Sequence, residues 1–282
     1  MTTSSEFSMF PLSYILVDPP SSGDTEFRQK LNFLRKLGYR GIELDVTGVS
    51  GIGLERLEAC AAELDMAIPS LLTGGAYAQG LCLSSPSLSV RKKTVTTLIS
   101  FLEVARRLDA ILVVGLLQGL RTDEPDARIA NDRIVECLRE IGEAAEEQGV
   151  HVVLEPVNHL QVGFNNSVGE VLTTIGRVAS PAVRPMIDTL HMHIEERSPV
   201  RSVLDVGKKI RHVHLCESNG GPFGSGNADL PAILQALKSI DYQYFVSVKI
   251  YRGLEWQEAA ERAIEYLAGL FLPETTKQKQ EH

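Results

Sequence analysis

The stretch DYQYFVSVKIYRG, residues 241–253, contains a strand, YFVSVK, whose last inward-pointing residue is Lys249. Seven other apolar runs of strand length precede it, and each is followed by a longer stretch with helical spacing. In chain order these runs are LSYILV (12–17), GIELDV (41–46), AIPSLL (67–72), AILVVG (110–115), HVVLE (151–155), VRPMI (183–187) running into Asp188, and RHVHL (211–215). The strand ending at Lys249 is therefore the eighth.

The helical patterns between them include EFRQKLNFLRKLG, SVRKKTVTTLISFLEVARRLD, ANDRIVECLREIGEAAEEQG and, after the last strand, WQEAAERAIEYLAGLF. Gly38 and Gly149 follow the last periodic residues of two of them, where a left-handed C-cap is wanted. Eight strand–helix alternations predict an α/β fold, a single (β/α)₈ TIM barrel, with its active site at the C-terminal ends of the strands. A dinucleotide-binding sheet is excluded, because no G-x-G-x-x-G follows the first strand and GLLQGL after the fourth does not substitute for it. No linker or composition break interrupts residues 1–282, so one domain is expected, with frayed tails at 1–10 and 273–282.

The chain has 282 residues, of which 44% are hydrophobic and 23% charged, ordinary for a globular protein with a sizeable core. No apolar run approaches the ~20 residues that span a bilayer, and the N-terminus lacks the basic and apolar regions of a secretory signal. The formal net charge of −8 argues against a nucleic-acid partner. Cys60, Cys82, Cys137 and Cys216 are scattered without zinc-like spacing, which fits a reduced, cytoplasmic setting.

Glu155, Asp188, His214 and Lys249 fall at the ends of four consecutive strands. Two carboxylates and an imidazole suit a divalent ion such as Mn²⁺, Mg²⁺ or Co²⁺, with positions left open for substrate oxygens. Alternation points His212 and His214 the same way, and His214, nearer the strand's end, is the better ligand. Taken singly, a histidine there is more often a hydrogen-bonded core residue, and an aspartate in MIDT more often a cap; matched depth in a barrel favours the metal reading. Glu43, in GIEL, is either a substrate contact or a structural residue. Asn158 orients the site or meets the substrate. Trp256 and Phe223 are candidate pocket walls, although packing is the better account of Trp256, and Cys216 is read as buried filler.

Three segments, VVLEPVNH (152–159), MIDTLHMHIEE (186–196) and HVHLCESNGGPFGSGNADLPAILQALKSIDYQYFVSV (212–248), resemble the sugar isomerase/epimerase family with the xylose-isomerase-like barrel. TGGAYAQGLCLSSPSLSVRKKTV (73–95) resembles the loop after that family's third strand. The similarity runs from about residue 12 to 268 and is nearest to ketose 3-epimerases and epimerases of keto-sugar acids. It implies a metal held by Glu155, Asp188, His214 and a final glutamate, with two glutamates moving a proton beside a carbonyl. His191 matches the substrate-binding histidine.

The chain departs from that pattern. Lys249 stands where the last glutamate belongs, Gln161 where a second substrate-contacting glutamate is common, and Gly220 where an arginine is common. His193 replaces a frequent asparagine. Losing a negative and a positive partner together keeps the local charge balanced, as a coordinated redesign would. In one reading of Lys249 the metal stays on three residues and the lysine becomes the second acid/base group. Its pKa would then fall from ~10.4 toward neutrality beside the cation. In the other, the ammonium takes the ion's place and pairs with Glu155 and Asp188. A third reading sends the side chain outward to solvent.

The expected activity is epimerisation or isomerisation of a small ketose, keto-sugar or sugar acid through a metal-stabilised enediolate. Glu155 and Lys249 would be catalytic, and His191, Gln161, Glu43 and Asn158 would bind substrate. A metal-assisted lyase or deglycosidase, or a metal-free sugar-binding relative, are the alternatives; a barrel-type DNA-repair nuclease is disfavoured by charge and by the small ligand set. The expected partners are a small sugar and, as in relatives that pair, further copies in a dimer or tetramer, with RGLEW (252–256) a candidate contact. No nucleic acid and no membrane are expected. No phosphate cradle is evident beyond NGGPFGSG (219–226).

Overall fold

All eight expected strands are present in the computed structural model, which describes residues 9–16 and 24–271. They are β1 (Leu12–Ile15), β2 (Gly41–Asp45), β3 (Ala67–Leu72), β4 (Ile111–Val114), β5 (Val152–Leu154), β6 (Val183–Asp188), β7 (His212–Leu215) and β8 (Val246–Val248). Each pairs in parallel with the next, and β8 returns to β1, so the sheet closes into a barrel. Strands covered on both faces read as apolar runs rather than as clean alternation.

The helices are α1 (Asp24–Leu37), the short α2 (Val46–Ile52), α3 (Leu54–Glu63), the short α4 (Gly74–Ala78), α5 (Leu88–Arg107), α6 (Ala127–Gln148), α7 (Val168–Val178), the short α8 (Thr189–Glu195), α9 (Pro199–Val206), α10 (Leu230–Ser239) and α11 (Trp256–Phe271). The eight longer ones follow the helical patterns of the sequence to within a few residues. Gly38 and Gly149 both have positive φ, 105° and 67°, as their capping positions require. α2, α4 and α8 were not expected. At five to seven residues they are too short to show a period, and each follows directly on a strand, at the C-terminal rim of the barrel.

Inside the barrel the packing divides. Ile111, Val113, Val153 and Met186 form an apolar cluster with Leu72 against it. Opposite them, Ser13, Glu43, His212 and Ser247 form a buried hydrogen-bonded group. The larger core lies between the barrel and its helices.

The four cysteines are free and buried. Among the described residues no helix is long and apolar enough to cross a membrane. The tails expected to fray lie outside the described residues, except for residues 9 and 10. There the expectation fails for Phe10, which is buried with its ring edge-on to Tyr242 at 5.9 Å.

Candidate active site

The barrel brings the four strand-end residues together. The Glu155 N–H, just past β5, donates to the Val114 carbonyl, and the Lys249 N–H, just past β8, donates to the Leu215 carbonyl, so both extend their ladders. Asp188 closes β6 and pairs in register with His214. His214 Nδ1 lies 3.4 Å from Glu155 Oε1 and 3.6 Å from Asp188 Oδ2. Lys249 Nζ donates to Asp188 Oδ2 at 2.7 Å and stands 4.0 Å from Glu155 Oε1. Glu155, His191, His214, Lys249, Gln161 and Tyr251 are among the residues lining a cavity of about 500 Å³ above them. That size is ordinary for a small-molecule site, ~300–1,000 Å³.

Asp188 fills both roles that the sequence offered it. Its Oδ1 caps α8, accepting from the Leu190 and His191 N–H groups, while its Oδ2 faces Lys249. The cap fixes the start of α8 and so aims His191 at the same point: its Nε2 lies 3.7 Å from Glu155 Oε1 and 3.8 Å from Asp188 Oδ2.

Hydrogen bonding assigns the two imidazoles different work. The Asn158 Oδ1 accepts from the Leu160 N–H, which leaves Asn158 Nδ2 to donate to His191 Nδ1 at 2.7 Å. The His191 proton therefore sits on Nε2 and points toward the carboxylates as a donor. His214 is oriented from the opposite side: its Nε2–H donates to Glu43 Oε2 at 3.1 Å, turning Nδ1 to Glu155 and Asp188.

Burial alone would raise the carboxyls and lower the imidazoles and the lysine; mutual attraction decides the outcome. Glu155 is held below the usual carboxylate range by His214 and Lys249, and Asp188 well below it by His191 and Lys249. His191, where burial prevails, is lowered. His214 is raised well above the usual imidazole, against its burial, by Glu43, Asp188 and Glu155. It becomes a cation ligand by giving up that proton. The fall expected for Lys249 presumed a cation beside it. Facing Asp188 and Glu155 alone, Lys249 is raised despite its burial.

The donors fit a divalent cation. Glu155 Oε1 and His214 Nδ1 are buried and have no hydrogen-bond partner, while the ammonium donates to Asp188. Ligands at about 2.0–2.2 Å from one ion lie roughly 3 Å apart when adjacent, close to the spacing seen here. Glu155, Asp188 and His191 also bring ligand-type atoms within 4.8 Å of one another, as do Glu43, His212 and His214. In the second group those atoms are spent on each other, at 2.7 and 3.1 Å.

Two residues expected at the substrate lie elsewhere. Glu43 is fully buried inside the barrel, beneath the site rather than on the cavity wall. It accepts from His212, His214 and Ser247, and the two imidazoles hold it ionised against its burial. Asn158 is 1% exposed and meets His191 instead of the cavity. Gln161 does line the cavity. Trp256 walls a neighbouring groove, Phe223 packs edge-on against Tyr266, and His193 is exposed.

Glu217 is a further buried carboxylate that no sequence pattern singles out. Buried at 1% exposure, it accepts from the N–H groups of Ser218, Gly224 and Ala228. Asn219 Oδ1 takes the Gly221 N–H and Ser218 Oγ that of Asn227. The loop 219–226 is thus organised around a carboxylate with these amides already bonded, the opposite of a phosphate cradle. Only its position beside NGGPFGSG hinted at this.

The family described as Xylose isomerase-like TIM barrel matches residues 31–270, and the chain belongs to it. An L-ribulose 3-epimerase of Methylomonas sp. (strain DH-1) is 34% identical over 42% of this chain and 42% of its own length. An L-ribulose 3-epimerase of Mesorhizobium japonicum is 28% identical over 79% of this chain and 74% of its own. A solved structure of an L-ribulose 3-epimerase superposes with a TM-score of 0.82 at 25% identity, covering 97% of both chains.

Proposed function

We propose that this chain, acting as one barrel domain, is an isomerase or epimerase of a small ketose, keto-sugar or sugar acid. It moves a proton at the carbon next to a carbonyl. The observation that carries the reading is the convergence of an ionised carboxylate, Glu155, and a protonated amine, Lys249, on one cavity floor beside an imidazole N–H donor. The epimerase relatives favour the same chemistry.

Glu155, Asp188 and His214 would hold a divalent ion; when bound, it supplies Lewis-acid stabilisation of charge developing at the substrate's carbonyl oxygen. Glu155, kept ionised, takes the proton next to the carbonyl. The His191 Nε2–H donates to a substrate oxygen and fixes the reacting face. Lys249 returns a proton from its ammonium, leaving a neutral amine, and the next turnover restores both groups by exchange with solvent. At 4.0 Å from Glu155 it leaves no room for a carbon between them. Substrate therefore enters by drawing the lysine's flexible stem away from Asp188.

The test is incubation of free ketoses, keto-sugars and sugar acids with the protein in D₂O and Mn²⁺. The reading expects deuterium beside the carbonyl of an otherwise intact sugar, and loss of exchange in Glu155→Gln. No exchange with any of them refutes it. The protonated Lys249 also favours a second reading, a lyase or deglycosidase in which the amine protonates a leaving group. A smaller product in the same experiment would select it. A protein that binds sugars but neither exchanges hydrogen nor takes up metal would be the metal-free relative.

A further inference from the structure

Glu155 is anchored through its backbone. Its N–H donates to the Val114 carbonyl at 2.9 Å, and its own carbonyl accepts from Gln118 Nε2, also at 2.9 Å. Gln118 ends the 3₁₀ turn Leu116–Gln118 that follows β4, and it is completely buried. With the planar peptide groups on both sides of its Cα fixed, Glu155 has one direction for its side chain. That anchoring counts because Glu155 Oε1, on the cavity floor, has no hydrogen-bond partner of its own. The loop that carries Gln118 begins at Gly115, where a Cβ would run into Glu155 Oε2. One loop therefore bounds Glu155 at its carbonyl and at its carboxylate.

Gln118 is in turn held from outside the barrel. Its Oε1 accepts from Asn165 Nδ2 at 2.8 Å, and Asn165 Oδ1 accepts from the Thr174 hydroxyl, on α7, at 2.6 Å. Asn165 and Thr174 are each 3% exposed. Asn165 has a φ of +53°, a left-handed conformation that asparagine adopts more readily than most residues. Nearby, the Gly163 N–H donates to the Gly119 carbonyl at 2.9 Å and ties the two loops together. The inner end of this relay fixes its polarity. A carbonyl only accepts, so Gln118 turns Nε2 toward Glu155 and Oε1 outward, Asn165 supplies Nδ2, and Oδ1 is left for the Thr174 hydroxyl. Each group is oriented by the one before it, and all three lie where a lost bond is not replaced by bulk water.

We infer that Gln118 is a positioning residue for Glu155, held in its working orientation by Asn165 and Thr174. Through the Glu155 carbonyl the relay sets where the carboxylate stands, while touching neither sugar nor ion. The inference rests on the isomerase reading for proton transfer and on the ligand role of Glu155 for the ion, and the experiment reads the two separately.

Wild type is compared with Gln118→Met, which keeps the side chain's length and removes both bonds, and with Asn165→Asp and Thr174→Val. Deuterium exchange into L-ribulose at saturating Mn²⁺ gives kcat and KM. Competition against a fluorescent chelator gives Mn²⁺ affinity, and circular dichroism checks the fold. Gln118→Met should lower kcat by about 10–100-fold with KM within about threefold, and should lower Mn²⁺ affinity about tenfold. A residue that merely packs would lower the melting temperature and leave kcat alone. Thr174→Val, at the outer end, should lose only about two- to fivefold in kcat. In Asn165→Asp the ionised carboxylate only accepts, which turns the Gln118 amide over and sets Oε1 against the Glu155 carbonyl. At about pH 9 this variant should fall as Gln118→Met does. Toward about pH 6 the buried carboxyl takes up a proton and donates again, so kcat relative to wild type at the same pH should rise.

A folded Gln118→Met with kcat and Mn²⁺ affinity within about twofold of wild type overturns the inference. So does a loss confined to KM, since Gln118 would then shape the sugar's berth, and so does an Asn165→Asp ratio that fails to rise as the pH falls. If wild type exchanges no hydrogen with L-ribulose, Mn²⁺ affinity decides. Its fall in Gln118→Met and Asn165→Asp then keeps the positioning of Glu155 and counts against the isomerase reading alone; an unmoved affinity then overturns the inference. Should Gln118→Met not fold, Asn165→Asp decides the matter.

Discussion

Lys249→Met removes a charge from the cavity floor while nearly keeping the side chain's volume, and it should tighten the grip on a divalent ion. The ammonium donates to Asp188 Oδ2 at 2.7 Å and stands 4.0 Å from Glu155 Oε1, so an ion bound to those oxygens lies about 4 Å from it. At an effective dielectric near 20, a single charge repels a divalent ion at that distance by roughly 8 kcal/mol. Lysine escapes part of this by swinging out. At about 8 Å the repulsion is still roughly 4 kcal/mol, or nearly three powers of ten in an equilibrium constant. Allowing for screening at the open side of the cavity, Mn²⁺ affinity should rise at least about 100-fold in Lys249→Met. Lys249→Glu, which adds a ligand as well, should raise it further. Competition against a fluorescent chelator measures both, and melting in EDTA and in Mn²⁺ checks the fold. Without metal the methionine variant should melt below wild type, because Asp188 is left buried without its ammonium. A folded Lys249→Met with Mn²⁺ affinity within about threefold of wild type would refute the reasoning, since ion and ammonium would not share the same carboxylates.

Glu43→Gln should lower Mn²⁺ affinity by about 10–100-fold and reduce the melting temperature, because His214 loses the carboxylate that orients it; an unchanged affinity would make Glu43 purely a packing residue. Asn158→Ala should raise the sugar KM while leaving Mn²⁺ affinity within about twofold, because it frees the His191 ring, a donor rather than a ligand. A parallel loss of metal would instead make His191 a ligand. Gly115→Ala should abolish deuterium exchange in a protein with unchanged far-UV circular dichroism, since a Cβ there runs into Glu155 Oε2. Retained exchange would mean that Glu155 can work from another position.

The barrel was legible because its strands are short apolar runs between strongly periodic helices, and neither signal depends on distant contacts. The rim was not legible. α8, which carries His191, has only seven residues, and its start is set by the Asp188 side chain rather than by a pattern. Glu43 shows why a face can be read from sequence when a depth cannot. Alternation in GIEL points it inward, yet β2 and β7 are not neighbours in the sheet. Only barrel closure brings Glu43 within 3.1 Å of an imidazole 171 residues away. The fall in the Lys249 pKa is an expectation for a site holding a cation; with the carboxylates alone, burial is the largest single influence and lowers it, and Asp188 and Glu155 together outweigh burial and raise it.

Charge counting joins these observations. Without an ion, the carboxylates of Glu43, Glu155 and Asp188 face one ammonium and one imidazolium, which leaves a single net negative charge. Exchanging the His214 proton for a divalent ion brings the group to neutrality. A glutamate in place of Lys249 would leave the loaded group two charges negative, and every further negative charge formed on the substrate would be pushed against it. Under the proposed reading the lysine would therefore weaken the hold on the ion and ease formation of an enolate in the same cavity. Only an interaction stronger in the transition state than in the ground state accelerates a reaction. On that criterion, and under the proposed isomerase reading, Lys249 would trade ion affinity for stabilisation of an enolate, and an acid sugar, which brings a negative charge of its own, would gain most.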